Sequence, residues 1–259
     1  MRSNPSVRKV AIITGASSGI GRAVAFQLAR DSYNLVLVAL EAEALGALTR
    51  ELASFPVDAL SYQGDVTRTG EARQIADRTL GAFGRIDVLV NSAGYAVYGP
   101  FESMHLDDIN GQMLTNYFGT VSLIKECLPH LKATKGTIIN IASTAGLTGI
   151  PRLAGYSASK HAVVGFSEAL KYELYGTGVS VSVIAPGKVR TNIFAHPSFD
   201  GVRWAHDESG ITPDVVARLI GKAIKKRRFL YILPRSRKLA LILKRMLPDG
   251  VVSRRMADR

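Results

Sequence analysis

Short apolar runs alternating with longer amphipathic segments constrain this 259-residue chain more than any other feature. Residues 10–14, 35–39, 57–62, 86–91, 137–142 and 179–184 are almost continuous in Val, Ile and Leu. Runs of that kind suit strands buried on both faces, the situation of a parallel sheet covered by helices. Helical spacing fills the gaps at 19–31, 42–54, 68–83, 106–133, 156–176 and 213–227. The order implies right-handed βαβ crossovers and an α/β fold with a doubly wound parallel sheet. A seventh strand at 229–233 is expected to close one edge. One domain is predicted over 1–234, with a substrate loop at 190–212, followed by an extension over 235–259.

Composition narrows the function classes. With 47% apolar residues the chain can bury a sizeable core, which excludes a disordered chain. A single cysteine, Cys127, excludes a disulfide framework and a Cys-rich metal site, and reads as a small buried apolar residue. His196, His206 and the acids near them show no metal-ligand spacing, so no metal is expected. The polar start, residues 1–9, predicts no secretory leader, and no apolar stretch of about 18 residues exists to span a bilayer. The expectation is a cytoplasmic protein, membrane-associated at most at the surface.

The net charge of +12 is uneven. From Lys222 to Arg259 there are 13 Lys and Arg against 2 acidic residues, whereas the first 221 residues hold 20 basic and 19 acidic. On a helical wheel Leu239, Ile242, Leu243, Met246 and Leu247 gather opposite Lys238, Lys244 and Arg245. Such a segment over 235–259 fits peripheral contact with an anionic membrane, or packing on its own domain or a partner. No nucleic-acid recognition motif accompanies the basic residues, so no nucleic-acid partner is expected.

Thr14-Gly15-Ala-Ser17-Ser18-Gly19-Ile20-Gly21 follows the first run and opens the first helix. Glycines there allow a tight turn and close approach to a pyrophosphate, whose charge sits on the N–H groups of the helix N-terminus. Gly15-Ala-Ser17-Ser-Gly19 also matches the Gly-x-Ser-x-Gly nucleophile elbow of hydrolases. That reading is discounted, because an elbow follows several strands rather than the first. At the ribose end, Glu41 lies about 20 residues past Gly21, as NAD binding asks. The strand-end position itself is Ala39, followed by Leu40, which leaves room for a 2′-phosphate. The sequence leans narrowly to NADP over NAD.

Tyr156 and Lys160 stand four apart on a helical pattern and share a face. A cation beside a phenol favours the phenolate and draws its pKa, near 10 when unperturbed, toward neutrality.

The chain resembles the short-chain dehydrogenase/reductase family over roughly residues 7–233. The residues that carry the resemblance are Thr14 to Gly21, Asp65, Asn91-Ser-Ala-Gly94, Asn116, Ser143, Tyr156-Ser-Ala-Ser-Lys160, and Pro186-Gly187 with Thr191. One departure is Ser92, where the family has a second asparagine; it is expected to weaken a sheet hydrogen bond and leave the chemistry intact.

The resemblance implies a Rossmann-type sheet of about seven strands and hydride transfer between nicotinamide and a ketone or secondary alcohol. It makes Tyr156 the acid/base and Lys160 the residue that lowers its pKa and binds the nicotinamide ribose. Ser143 would polarise the carbonyl, and Asn116 would hold a relay water linking Lys160 to solvent. Asp65 and Val66 would contact adenine, while Asn91, Ala93 and Gly94 would line the cofactor. Pro186, Gly187, Val189 and Thr191 would embrace the nicotinamide. A homodimer or homotetramer through 106–133 and 156–176 is also implied. Tyr95, Val97, Ala145, Phe194 and Trp204 are candidates for the substrate wall, pointing to an apolar substrate. The alternative is a cofactor-binding regulatory or scaffold protein on the same fold, against which the complete catalytic set argues.

Overall fold

The computed structural model describes residues 8–234 and, beyond them, Ser236, Leu247, Gly250 and Val251. The reading of 235–259 as an amphipathic basic helix thus lies outside the described residues.

Seven parallel strands form one sheet: β1 (Val10–Thr14), β2 (Asn34–Ala39), β3 (Ala59–Gln63), β4 (Val88–Asn91), β5 (Thr137–Ile141), β6 (Ser180–Pro186) and β7 (Leu230–Leu233). Their spatial order is β3-β2-β1-β4-β5-β6-β7. The helices are α1 (Gly19–Arg30), α2 (Ala42–Leu52), α3 (Glu71–Phe83), α4 (Leu106–Met113), α5 (Gly119–Thr134), α6 (Ala154–Glu173), the short α7 (Arg203–His206) and α8 (Pro213–Lys226).

Alternation along β1 explains why its sequence is apolar throughout. Ala11 and Ile13 join the core beneath α1, α2 and α8, with Val24, Leu28, Leu45 and Ile220. Val10 and Ile12 join the opposite core beneath α3, α5 and α6, with Ile75, Leu123 and Leu170. Both faces are buried, and each large aliphatic side chain so placed stabilises by about 1.5–3 kcal/mol.

Several expected boundaries move, three of them for visible reasons. The fourth strand starts at Val88, because Asp87 turns its carboxylate to the Val10 N–H (2.8 Å) and to Arg85. The third helix starts at Glu71, after Gly70 at φ +84°. The long helix foreseen over 106–133 is interrupted by a π-helical turn at Leu114–Phe118, which separates α4 from α5.

β1 lies between β2 and β4, so the chain winds outward in both directions from this point. A crevice opens there at the carboxyl ends of the strands. Beyond β6, an excursion of two 3₁₀ turns and α7 runs over that edge, its base closed where Val189 pairs with Ile211.

Candidate active site

The glycine turn is held by contacts that leave no room for a side chain. A Cβ on Gly21 would lie 2.1 Å from the Gly15 carbonyl oxygen, and one on Gly19, at φ +52°, would lie 2.9 Å from Thr191 Cγ2. Thr14 Oγ1 accepts from the N–H groups of Ser92 and Ala93, both at 3.0 Å, and so ties this turn to the end of β4. The bond from Arg22 N–H to Ser18 C=O (3.1 Å) starts the α1 ladder, and Ser18 makes no side-chain cap. The N–H groups ahead of Arg22 therefore lack intrahelical acceptors. A turn with glycine at its closest approaches, beneath uncapped N–H groups, fits the pyrophosphate of a dinucleotide.

A cleft of about 1710 Å³ runs from this turn along the strand ends. Gly15, Ser17, Ser18, Gly19 and Ile20 line one end, with Ala39, Leu40, Asp65 and Val66. Ala93 and Gly94 form its middle with Ser143, Tyr156 and Lys160, while Pro186, Gly187, Val189 and Thr191 close the side from β6. Tyr95, Ala145, Phe194 and Trp204 line the far end.

Four expected positions do not line the cleft: Asn116, described below, and Gly21, Asn91 and Val97. Gly21 packs against the Gly15 carbonyl. Asn91 is buried in the sheet, where its Nδ2 donates to Asn140 Oδ1 (2.8 Å). Val97 is buried as well, with its N–H donated to Gln112 Oε1 (3.0 Å). Among the described residues Asn91 Oδ1 is the buried side-chain acceptor without a partner, next to the serine that departs from the family pattern.

Tyr156 and Lys160 enter from the first turns of α6, with Lys160 Nζ 5.7 Å from the Tyr156 ring centroid. Lys160 Nζ donates to the Ile141 carbonyl (2.9 Å) at the end of β5. Burial pushes the Tyr156 phenol up to about 12, against the lowering effect of its hydrogen bond with Ser143. Burial also draws Lys160 down to about 8. In the free protein, desolvation of the phenolate outweighs the hydrogen bond with Ser143.

Asn116 sits within the π-turn and is buried. Its Nδ2 donates to the Tyr95 carbonyl (3.0 Å) and Ser159 Oγ (2.9 Å), and its Oδ1 accepts from the Tyr95 N–H (3.0 Å). These bonds occupy its side chain and tie the loop after β4 to α6. Its main-chain carbonyl accepts from Thr120 Oγ1 (3.0 Å), and a carbonyl has a second lone pair.

The sequence profile described as short chain dehydrogenase matches residues 9–198. The chain belongs to the short-chain dehydrogenase/reductase family. Among family members, 11-beta-hydroxysteroid dehydrogenase-like 4A of Arabidopsis thaliana is 40% identical over 185 residues, covering 70% of this chain and 61% of that protein. The chain thus spans about three fifths of that relative's length. A short-chain dehydrogenase/reductase from Burkholderia phymatum, solved with NAD, superposes with a TM-score of 0.86 at 28% identity, over 92% of this chain and 93% of that one. An alcohol dehydrogenase from Thermococcus sibiricus, solved with 5-hydroxy-NADP, has a TM-score of 0.79 at 26% identity, over 87% and 96%.

In this short-chain dehydrogenase/reductase several cleft residues escape sequence reading. Leu114 and Thr115 line the cleft because the π-turn redirects that part of the helix, and helical spacing carries no signal of it. Ile193 precedes Phe194 in an irregular loop. Phe194, Phe199 and Trp204 gather with Tyr98 at centroid separations of 5.2–6.1 Å. Phe199 is fully buried and anchors the excursion, whereas Phe194 and Trp204 face the cleft.

Proposed function

We propose that this chain is a nicotinamide-dependent oxidoreductase that interconverts a ketone and a secondary alcohol of largely apolar character. The observation that carries this reading is the buried Tyr156, hydrogen-bonded with Ser143, beside Lys160 at the middle of a cleft that begins at the glycine turn. The Gly15–Ile20 turn, Asp65, Val66 and the Pro186–Thr191 segment would hold a nicotinamide dinucleotide, which when bound would supply or accept the hydride.

In the reducing direction Tyr156 gives its phenolic proton to the carbonyl oxygen as negative charge develops there. The Ser143 hydroxyl donates a hydrogen bond to the same oxygen. The Lys160 ammonium, held by the Ile141 carbonyl, stabilises the phenolate left on Tyr156. Asn116 serves as a positioning residue through Tyr95 and Ser159, and its main-chain carbonyl is the group left for the relay water.

For the cofactor, the side chains at the glycine-turn end support NAD, against the narrow lean of the sequence to NADP. Glu41 accepts from Ser17 Oγ (2.8 Å), which sets a carboxylate across the mouth of the glycine turn. The charged residues lining that end, Glu41 and Asp65, are acidic and disfavour a 2′-phosphate. For assembly, exposed Leu114 and Phe118 next to α5, and exposed Tyr172 on α6, support a homodimer or homotetramer through those helices.

Tyr156→Phe tests the reading. Turnover of ketones is expected to fall by about 10²–10⁴-fold, the usual contribution of general acid catalysis, with NADH affinity by fluorescence titration nearly unchanged. Full activity in the variant would refute the assignment.

A further inference from the structure

The charged side chains lining the cleft are Glu41, Asp65, Arg152, Lys160 and Lys188. Glu41 and Asp65 belong to the glycine-turn end, and Lys160 to the catalytic group. Lys188 is ion-paired with Asp207 and bonded to Ser209 Oγ. Arg152 remains, and none of the ion pairs among the described residues includes it.

Its setting is apolar. The residue is exposed at the rim of the cleft, where Ile150, Pro151 and Leu153 line the same wall; its guanidinium lies 6.0 Å from the ring centroid of Tyr98, which packs in turn on Trp204. Its backbone is also unusual. Four non-glycine residues have positive φ among the described residues, and Ser32, Lys135 and Arg227 close helix C-termini, where that conformation is common. Arg152, at φ +62°, stands instead ahead of α6, held by its carbonyl accepting the Gly99 N–H (2.9 Å). A bulky residue kept in that region on a cleft wall points to a use for its side chain.

We infer that Arg152 selects substrates that carry an anionic group, carboxylate or phosphate, at the end of an apolar body remote from the reacting carbonyl. The inference rests on the oxidoreductase reading only for what happens at Tyr156. A guanidinium against apolar surface binds an oxyanion through charge-assisted hydrogen bonds, in a fork that suits a carboxylate or a phosphate.

Binding tests it without turnover. Trp204 is the sole tryptophan of the chain and lines the cleft, so its fluorescence reports occupancy. Aliphatic keto acids of graded length, their methyl esters and the matching ω-phosphates are titrated into the protein saturated with NADH. The acids and phosphates are expected to bind three- to tenfold more tightly than the esters, a gap of about 0.7–1.4 kcal/mol. Arg152→Asn, which keeps a residue tolerant of positive φ, removes that preference, and Arg152→Lys restores part of it. A larger preference for the phosphates than for the carboxylates identifies phosphate as the favoured anion. Equal affinity of acid and ester in the unaltered protein, or a preference that survives Arg152→Asn, overturns the inference. NADH affinity and Tm of Arg152→Asn are measured alongside, as readouts of the fold and the cofactor end that the substitution should leave in place. Loss of both together would mark a structural role and overturn the inference as well. Failure of the oxidoreductase reading would show separately, as absent turnover of every ketone with the binding preference intact.

Discussion

Lys160 and Tyr156 are packed into the same wall, and burial moves their titrations apart, to about 8 and about 12. The lysine has a consequence for the free protein. An unfolded lysine titrates near 10.4. Between about pH 8 and that value the unfolded chain binds a proton at this site that the folded chain does not. Stability should therefore rise with pH from about 8 to 10, and be reduced by the buried charge below 8. Urea unfolding across that range, for the unaltered protein and for Lys160→Met, checks it. The rise should be smaller in the variant, and identical pH dependence in both would contradict the burial argument. The same desolvation raises the phenol of Tyr156.

At the scale of elements, much of the architecture was legible before any coordinates. Strand faces follow from Val, Ile and Leu at consecutive positions, as Ile12 and Ile13 show by entering opposite cores. The glycine turn and the Tyr156–Lys160 pair were legible because their chemistry depends on short-range spacing. The π-turn was not, since Leu114 to Phe118 reads as ordinary helix and the insertion is set by Asn116 bonding to Tyr95 and Ser159. Val97 was misplaced for a similar reason. Near cleft-facing Tyr95 it looked like wall, but it is buried in the loop after β4, where its N–H is donated to Gln112. Arg152 carried no periodic signal, and only its φ angle and its surroundings single it out.

The turn also yields a paired prediction. Gly21→Ala forces a methyl group onto the Gly15 carbonyl, a backbone group that cannot rotate aside. Stability should fall by about 1–3 kcal/mol, the usual cost of overpacking, and NADH affinity should drop with it. Gly81→Ala, on exposed α3 surface with nothing within 4 Å of the new methyl, should instead gain about 0.5–1 kcal/mol. Chemical denaturation measures both, and equal effects would contradict the packing account.

For the whole molecule, the cleft draws walls from both windings of the sheet, from β2 on one side to β6 on the other. A ligand that bridges them stabilises the fold as a unit. At about 100 times its Kd, NADH should add about 2.7 kcal/mol and raise Tm by roughly 5–10 °C. NADPH at the same concentration should raise it less, given Glu41 at the mouth of the turn. A thermal-shift series with both dinucleotides decides it, and a larger shift with NADPH would return the preference to NADP. Among the described residues no helix is long and apolar enough to cross a membrane.

The closed base of the excursion after β6 has a consequence for inheritance. Val189 and Ile211 meet in one bridge, and Arg190 N–H reaches the Ile211 carbonyl (3.0 Å), so the chain leaves and rejoins the scaffold at almost one point. Insertions or exchanges between those positions do not propagate into strand register. Beyond Thr191, which packs on Gly19, the segment pinned by buried Phe199 can vary without disturbing the glycine turn or the strands.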